Sequence, residues 1–556
     1  MHDISEPVEL FCRKIREGNV IFETNLHLAN LLLQNDDPPP TKQNILMAEY
    51  CLSAAHAQRP FDAQVLENLI HLSKVLEKTA GLSELVETLT YVKATNSDNG
   101  RLKIGLNYLQ KNQSDKAEKY LHTADAVSNM ELLFTCVDAL VARNDFDAAL
   151  NLFRQSAAGY QNTKSVAAHF WRKFAHTLLA AEAPDQAMDC LHKSLDCMNS
   201  AAALKDLGQA CCLMGQRDKA MKAWRESLVL DPLQIPLYLK LYDVFTGHDR
   251  LWETDPDRFR TNILMYTYNK HNDVKKTLKS LAETDIGSAG IIILDNHCTD
   301  GTSQLLEKAQ NLFPRNKVTI INLPVNIGAP AARNWLMARP ENDDTDFLAF
   351  LDDDVLLPRD WLKQLIGTIN THPKAAIAGT KVNDEGIPKT IQYIYRFLDV
   401  IQENKLILSS KHPGEIDVGQ FDFIRKCLSV MGCCHLLRTK TAKDVGEFDI
   451  RFSPSQVDDI DHDFLTCLQG HEIVYNGHIS VVHCQKAGKE AFLSRPALGN
   501  VMGNDYKLAM KHSTEDMRRL KKQTEDIDRS DIRKKIHELR QAGCLDQVPE
   551  VPFNVV

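Results

Sequence analysis

The hydrophobic pattern changes period near residue 261, and no single packed layer suits both sides of the change. Upstream, a D-x-A-x-x-x unit closed by Leu or an aromatic recurs: Ala117 with Leu121, Ala149 with Phe153, Ala187 with Leu191, and Ala220 with Trp224. The steps between its alanines are 32, 38 and 33 residues. Downstream, the short β-branched runs TNILMYTYN, GIIILDN, KVTIINL and DFLAFLDDD alternate with helical stretches such as DVKKTLKSLAE and TSQLLEKAQNLF. An all-α array followed by alternating strand and helix predicts a multidomain chain whose second part is an α/β, mainly parallel sheet.

Composition allows that reading. A chain of 556 residues is too long for one core at the usual ~100 to 200 residues per domain. A net charge of -9 gives no basic footprint, which argues against nucleic acid as a partner. No apolar run approaches the ~20 residues of a membrane helix, and the charged opening MHDISEPVELFCRKIREG does not read as a signal peptide. The fourteen cysteines form no C-x-x-C, so reduced, mostly buried thiols are expected. These features predict a cytoplasmic protein, at most peripheral to a membrane.

In AALKDLGQACCLMGQRDKAMKAWRESLVLDP, Leu207-Gly208, Ala220, Trp224 and Asp231-Pro232 stand at tetratricopeptide spacing, and the region resembles a tetratricopeptide solenoid. Small residues let the two helices of a hairpin approach, and large ones fill the gap against the next hairpin. The resemblance implies a helical repeat domain over 1–246 whose concave surface takes a protein partner, with 247–260 as linker. Residues 1–97 are rich in helix formers but poorer in the signature.

In parallel sheets, ligands bind beyond the carboxyl ends of strands. Here those ends carry Tyr266-Thr267-Tyr268-Asn269, then Asp295-Asn296, then Asp352-Asp353-Asp354. TYNKHNDVKKTLKSL, LDNHCTDGT, NIGAPAARN, FLDDDV, VGEFDIRF, VDDIDHDF and VVH follow one another in the order and spacing of an inverting, family 2 type glycosyltransferase, which this stretch, 261–486, resembles. The resemblance implies a GT-A (Rossmann-like) catalytic domain moving a sugar from a nucleotide-diphosphate donor to a hydroxyl. The acceptor would be a protein, a glycan or a lipid-linked precursor.

Such a reaction must support charge on the departing diphosphate, a task suited to Mn2+ or Mg2+ on oxygen ligands. By resemblance, Asp354 is a metal ligand with His483 as a second, while Asp352 and Asp353 lie near the donor ribose and sugar. Asp295 and Tyr266, Thr267 and Tyr268 would line the nucleoside pocket. Arg333 offers a planar donor fork for phosphate. Aligned residue by residue, Asp459 falls on the general-base position, flanked by Asp458 and Asp461; a carboxylate crowded by like charges holds a proton more readily. Asp463 replaces the apolar or aromatic residue usual at its position.

Residues 487–556 alternate charge blocks at helical spacing, which predicts a helical C-terminal extension of exposed helices that packs on the catalytic domain or the solenoid, or joins an oligomer. A rival reading keeps the repeats as a non-catalytic scaffold or adaptor and makes the second domain a relic. The retained acids Asp295, Asp352 to Asp354 and Asp459 favour the enzyme.

Overall fold

A computed structural model describes residues 6–18, 21–34, 39–95, 104, 107–108, 130–157, 163–403, 405–409, 414–484 and 495–556. The chain forms two compact units, Met1–Tyr238 together with Leu539–Val556, and Leu239–Glu538. Among the described residues, no helix is long and apolar enough to cross a membrane. All fourteen cysteines are free thiols.

The first unit is built of helical hairpins, among them Met130–Val141 with Phe146–Ser156, Lys164–Ala180 with Pro184–Cys197, and Ala201–Leu213 with Arg217–Leu230. The same turn closes all three. Asn144, Glu182 and Gly215 have left-handed φ of 63°, 58° and 70°. The next residue in each case donates its N–H to the carbonyl five back: Asp145 to Leu140, Ala183 to Leu178, and Gln216 to Cys211. This is the helix-ending arrangement that satisfies otherwise orphaned carbonyls. A second bond also recurs, Ser194 Oγ to Ala168 O and Ser227 Oγ to Ala201 O, both 2.7 Å.

Small-against-large packing is visible at Gly208, where a Cβ would fall 2.2 Å from Cδ1 of the fully buried Trp224. The repeat read around Ala117 and Leu121 lies outside the described residues. The helices Lys42–Gln58 and Leu82–Thr95 reach the helix Lys164–Ala180. Arg172 Nη1 donates to the Ala57 carbonyl (2.8 Å) and Ser165 Oγ to Glu87 (2.8 Å). Part of that helix's surface is thus taken by the chain itself.

The second unit is organised by a mixed sheet of ten strands. In chain order these are β1 (Thr261–Thr267), β2 (Gly290–Asp295), β3 (Val318–Asn322), β4 (Phe347–Leu351), β5 (Val355–Leu356), β6 (Ala375–Asp384), β7 (Ile391–Tyr393), β10 (Ile424–Cys427), β11 (Cys434–Arg438) and β12 (Glu472–His483). The hairpin β8 (Leu398–Gln402) and β9 (Lys405–Leu408) stands apart. The order is β10-β12-β6-β11-β4-β1-β2-β3, with β5 on β12 and β7 on β6.

The pairs β3–β2, β2–β1 and β1–β4 are parallel, as is β6–β12, while β11 runs antiparallel between β4 and β6. The strands are apolar on both faces because both are covered. Ile263, Met265, Ile291, Ile293, Ala349 and Leu351 share one core with the helices His271–Ala282 and Trp361–Thr371. Residues 247–260 fold as two short 3-10 turns, His248–Glu253 and Pro256–Arg258.

The C-terminal charge blocks are exposed on one face only. In the helix Thr514–Gln541, Met517, Leu520, Ile532 and Ile536 are buried. Arg425 on β10 grips Asp528 with Nε and Nη2 at 2.9 and 2.7 Å, with both side chains buried. The apolar positions are sparse enough that the charges between them masked the buried face.

Candidate active site

The carboxyl ends of β1, β2 and β4 open on one edge of the parallel half of the sheet. At the end of β1, Tyr266 is half-buried, Thr267 is fully buried and Tyr268 is 45% exposed. Asn269 follows in the left-handed region (φ 53°), and its Oδ1 accepts the Thr299 N–H at 2.7 Å. Asp295 ends β2, 3% exposed, accepting the Cys298 N–H at 2.8 Å and the Ser303 hydroxyl. It therefore closes its own turn, while Asp300 accepts the Thr302 N–H at 3.1 Å and the Thr302 hydroxyl at 2.6 Å at the head of the next helix.

Asn296 ties this turn to the next one. Its Nδ2 donates to Asn326 Oδ1 (2.9 Å), and its Oδ1 accepts the Ile327 N–H (2.9 Å). Gly328, at φ 79° and with a prospective Cβ 3.0 Å from Ser453 Oγ, then admits the chain to the helix Ala329–Met337, which carries Arg333.

The three aspartates after β4 diverge. Asp352, Asp354 and His483 each offer a ligand atom within 4.8 Å of the others. Asp353 turns instead to Lys270, whose Nζ lies 3.1 Å from Asp353 Oδ1 and 2.7 Å from Asp354 Oδ2. His483 arrives on β12, which pairs through that residue with Val355 of β5. Its Nδ1 lies 2.7 Å from Gln392 Oε1, and Gln392 Nε2 donates to Asp384 Oδ1 at 2.8 Å.

A neutral imidazole that gives its Nδ1 proton to Gln392 presents the Nε2 lone pair to Asp354. Asp354 Oδ1 lies 3.1 Å from that Nε2, yet no well-directed hydrogen bond reaches this buried oxygen. Two lone pairs facing a common point, with a third ligand atom nearby, fit a divalent cation that accepts oxygen and imidazole. Burial alone would raise the Asp354 carboxyl, but His483 and Lys270 outweigh it and hold it at about 2. Burial would lower His483, and Asp354 reverses that, so without a metal a proton is favoured at the same point.

The second acidic cluster heads the helix Asp458–Leu468. Gln456 and Val457 precede it at φ 87° and 61°. A β-branched residue in the left-handed region costs about 1–3 kcal/mol and marks a segment over-determined by its surroundings. The four acids then separate. Asp458 takes Arg333 Nη1 at 2.8 Å, with both side chains buried. Asp459 stays half-buried, its Oδ2 accepting the Gly432 N–H (3.0 Å) and its Oδ1 the Ile460 N–H (2.9 Å). Asp461 pairs with Lys511 (2.6 Å) and His512 (2.7 Å), and Asp463 accepts the Val430 N–H (3.2 Å).

One loop joins the two clusters. Gly432 holds Asp459, and the next residue, Cys433, accepts the Asp352 N–H at 2.8 Å. Arg333 bridges the same gap, reaching Asp352 at 3.5 Å, Asp458 at 2.8 Å and the Gly432 carbonyl at 3.5 Å. It is a buried cross-brace rather than a surface side chain. A Cβ on Gly432 would fall 2.8 Å from Asp459 Cβ and 3.2 Å from Arg333 Nη2, so only glycine lets these groups close.

The structure thus brings Asp352, Asp354 and His483 together, joins Asp459 to them through one loop, and leaves Asp353 on Lys270. Lys270 stands inside the TYNK motif, and its charge next to that motif was the available signal. Gln392 and Gly432 had none, since both reach the site from strands and loops distant in sequence.

Residues 262–446 match the family model described as glycosyl transferase family 2. The succinoglycan biosynthesis protein ExoM of Rhizobium meliloti (strain 1021) is 31% identical over 121 residues, 21% of this chain and 37% of that protein. The chain thus spans little more than a third of that relative's length. S. aureus TarS is similar over 43% of this chain and 39% of its own, at 18% identity and a TM-score of 0.30. The mannosyltransferase PcManGT from Pyrobaculum calidifontis, solved with GDP-Man and Mn2+, is similar over 58% of this chain and 87% of its own, at 14% identity and a TM-score of 0.35. Residues 262–446 of this chain therefore carry a glycosyltransferase family 2 domain.

Proposed function

We propose that this chain is a metal-dependent, inverting glycosyltransferase of GT-A type that moves a sugar from a nucleotide-diphosphate donor to an acceptor hydroxyl. The observation that carries the reading is the ligand group Asp352, Asp354 and His483, joined through the Gly432-Cys433 loop to the half-buried carboxylate of Asp459. Those three residues would hold Mn2+ or Mg2+, which when bound supplies positive charge to the leaving diphosphate. Asp459 accepts the proton of the acceptor hydroxyl as its oxygen attacks the anomeric carbon from the face opposite the leaving group. The transition state is oxocarbenium-like, and the anomeric configuration inverts.

In this reading Tyr266, Thr267, Tyr268 and Asp295 border the nucleoside, and Asp353 with Lys270 borders the donor. Arg333 acts chiefly by fixing Asp352 and Asp458. The helical hairpins are tetratricopeptide-like, supported by the recurrent turn at Asn144, Glu182 and Gly215, and serve to recruit a protein partner or a protein, glycan or lipid-linked acceptor.

The test is a panel of nucleotide sugars with Mn2+, comparing wild type with Asp354→Ala. Wild type releases nucleotide from one donor and the variant does not, and NMR of the product shows the inverted anomer. A wild type that neither binds nor turns over any donor would refute the proposal.

A further inference from the structure

Arg396 differs from the other buried arginines of this unit. Arg333 has Asp458 and Arg425 has Asp528, while the partly buried Arg438 donates to the carbonyls of Ala375 and Ile369. Arg396 is only 6% exposed, yet among the described residues it makes no ion pair, its Nε has no acceptor, and the buried Asp463 carboxylate feels its charge only through space. Among the described residues the guanidinium's one hydrogen bond runs from Nη2 to the Met431 sulfur at 2.9 Å, and a thioether is a weak acceptor. Its plane sits 4.6 Å from the Tyr393 ring centroid. A cation–π contact offsets only part of what a buried guanidinium loses with its water.

The position of this charge is defined by the backbone. Arg396 exchanges main-chain hydrogen bonds with Ser429, at 3.0 and 3.3 Å. Three residues on, Gly432 binds Asp459. Met431, the sulfur partner, directly precedes Gly432, and both Met431 and Tyr393 are partly open to solvent. The charges of Arg396 and Asp459 both act on the Tyr393 hydroxyl. A planar fork of N–H donors, desolvated and with no oxygen in hydrogen-bond reach among the described residues, therefore lies next to the loop whose Gly432 N–H holds Asp459.

We propose that Arg396, framed by Tyr393 and Met431, is the anion anchor of an acceptor subsite, binding a carboxylate or phosphate that the acceptor carries near its attacking hydroxyl. The fork matches either oxyanion in two parallel hydrogen bonds, with the Tyr393 ring beneath the guanidinium holding its plane. The assignment rests on Asp459 being the proton acceptor, since the loop that carries Met431 is the one that holds Asp459.

The test is calorimetric titration of the full chain, in EDTA so that no metal contributes, with methyl β-D-glucuronide and with glycerol 3-phosphate. Methyl β-D-glucoside is the uncharged control. One anion binds wild type about tenfold or more tighter than Arg396→Gln, with Arg396→Lys between them, and the glucoside shows no such difference. The anion that binds identifies the source of the charge.

Should Arg396→Gln fail to fold, protection of Arg396 in wild type from phenylglyoxal, mapped by mass spectrometry, reads the same site. Anion affinities within about twofold in Arg396→Gln, or no protection of Arg396, overturn the subsite. Nucleotide-sugar binding to wild type, measured in parallel with Mn2+, reports on the transferase reading alone. An anion site without donor binding, or donor binding without an anion site, therefore separates the two failures.

Discussion

Gly432→Ala tests whether the loop between the two acidic clusters sets the position of Asp459. The glycine is not in the left-handed region, so an alanine there meets no backbone strain and acts only through its methyl group. That methyl would lie 2.8 Å from Asp459 Cβ, 2.9 Å from Oδ2 and 3.2 Å from Arg333 Nη2. Reaching the 3.4 Å of ordinary contact moves Asp459 back by about 0.6 Å and stretches its 3.0 Å bond to the Gly432 N–H. Arg333 cannot yield easily, being held by Asp458 and Asp352.

Overpacking of this size costs about 1–3 kcal/mol of stability. A displacement approaching 1 Å at a proton acceptor costs about 10- to 100-fold in rate. The expected result is a kcat lower by that factor, a KM for the donor close to wild type, and a melting temperature lower by a few degrees. Steady-state transfer assays and thermal unfolding measure all three. A kcat within about threefold of wild type, in a variant whose stability has fallen, would show that Asp459 is not positioned for the chemistry.

Two further outcomes follow from the geometry. Lys270→Met removes the positive charge lying 2.7 Å from Asp354, so Mn2+ binding followed by electron paramagnetic resonance tightens several-fold, screening by solvent limiting the gain; weaker binding would show that Lys270 chiefly orders the carboxylates. In the first unit, Gly208→Ala drives a methyl to 2.2 Å from Trp224 and lowers unfolding free energy by about 2–3 kcal/mol in denaturant titration despite alanine's better helix propensity; a change below about 0.5 kcal/mol would refute the close packing of that hairpin.

Much of the architecture was legible because it is periodic. The D-x-A units at Ala149, Ala187 and Ala220 mark hairpins that the structure builds with one repeated turn, and the β-branched runs at 261, 290 and 347 become adjacent parallel strands. The C-terminal helix is exposed on one face and packed on the other, and the buried face was not legible at Asp528, whose partner, Arg425, is a buried residue about a hundred positions earlier. No local pattern distinguishes a charge that faces water from one that faces an arginine in the core.

The acidic clusters show the same division. Sequence alone determined that Asp352 to Asp354 end a buried strand and that a second group of acids heads a helix near residue 458, since strand and helix periods are local properties of the chain. Only the tertiary structure decided which acids share a point in space. Successive residues after a strand point in different directions, so Asp352 and Asp354 meet His483 while Asp353 goes to Lys270. Gly432, Gln392 and Arg396 entered the site through strand pairings and loop closures, which bring together residues that no spacing in the sequence connects.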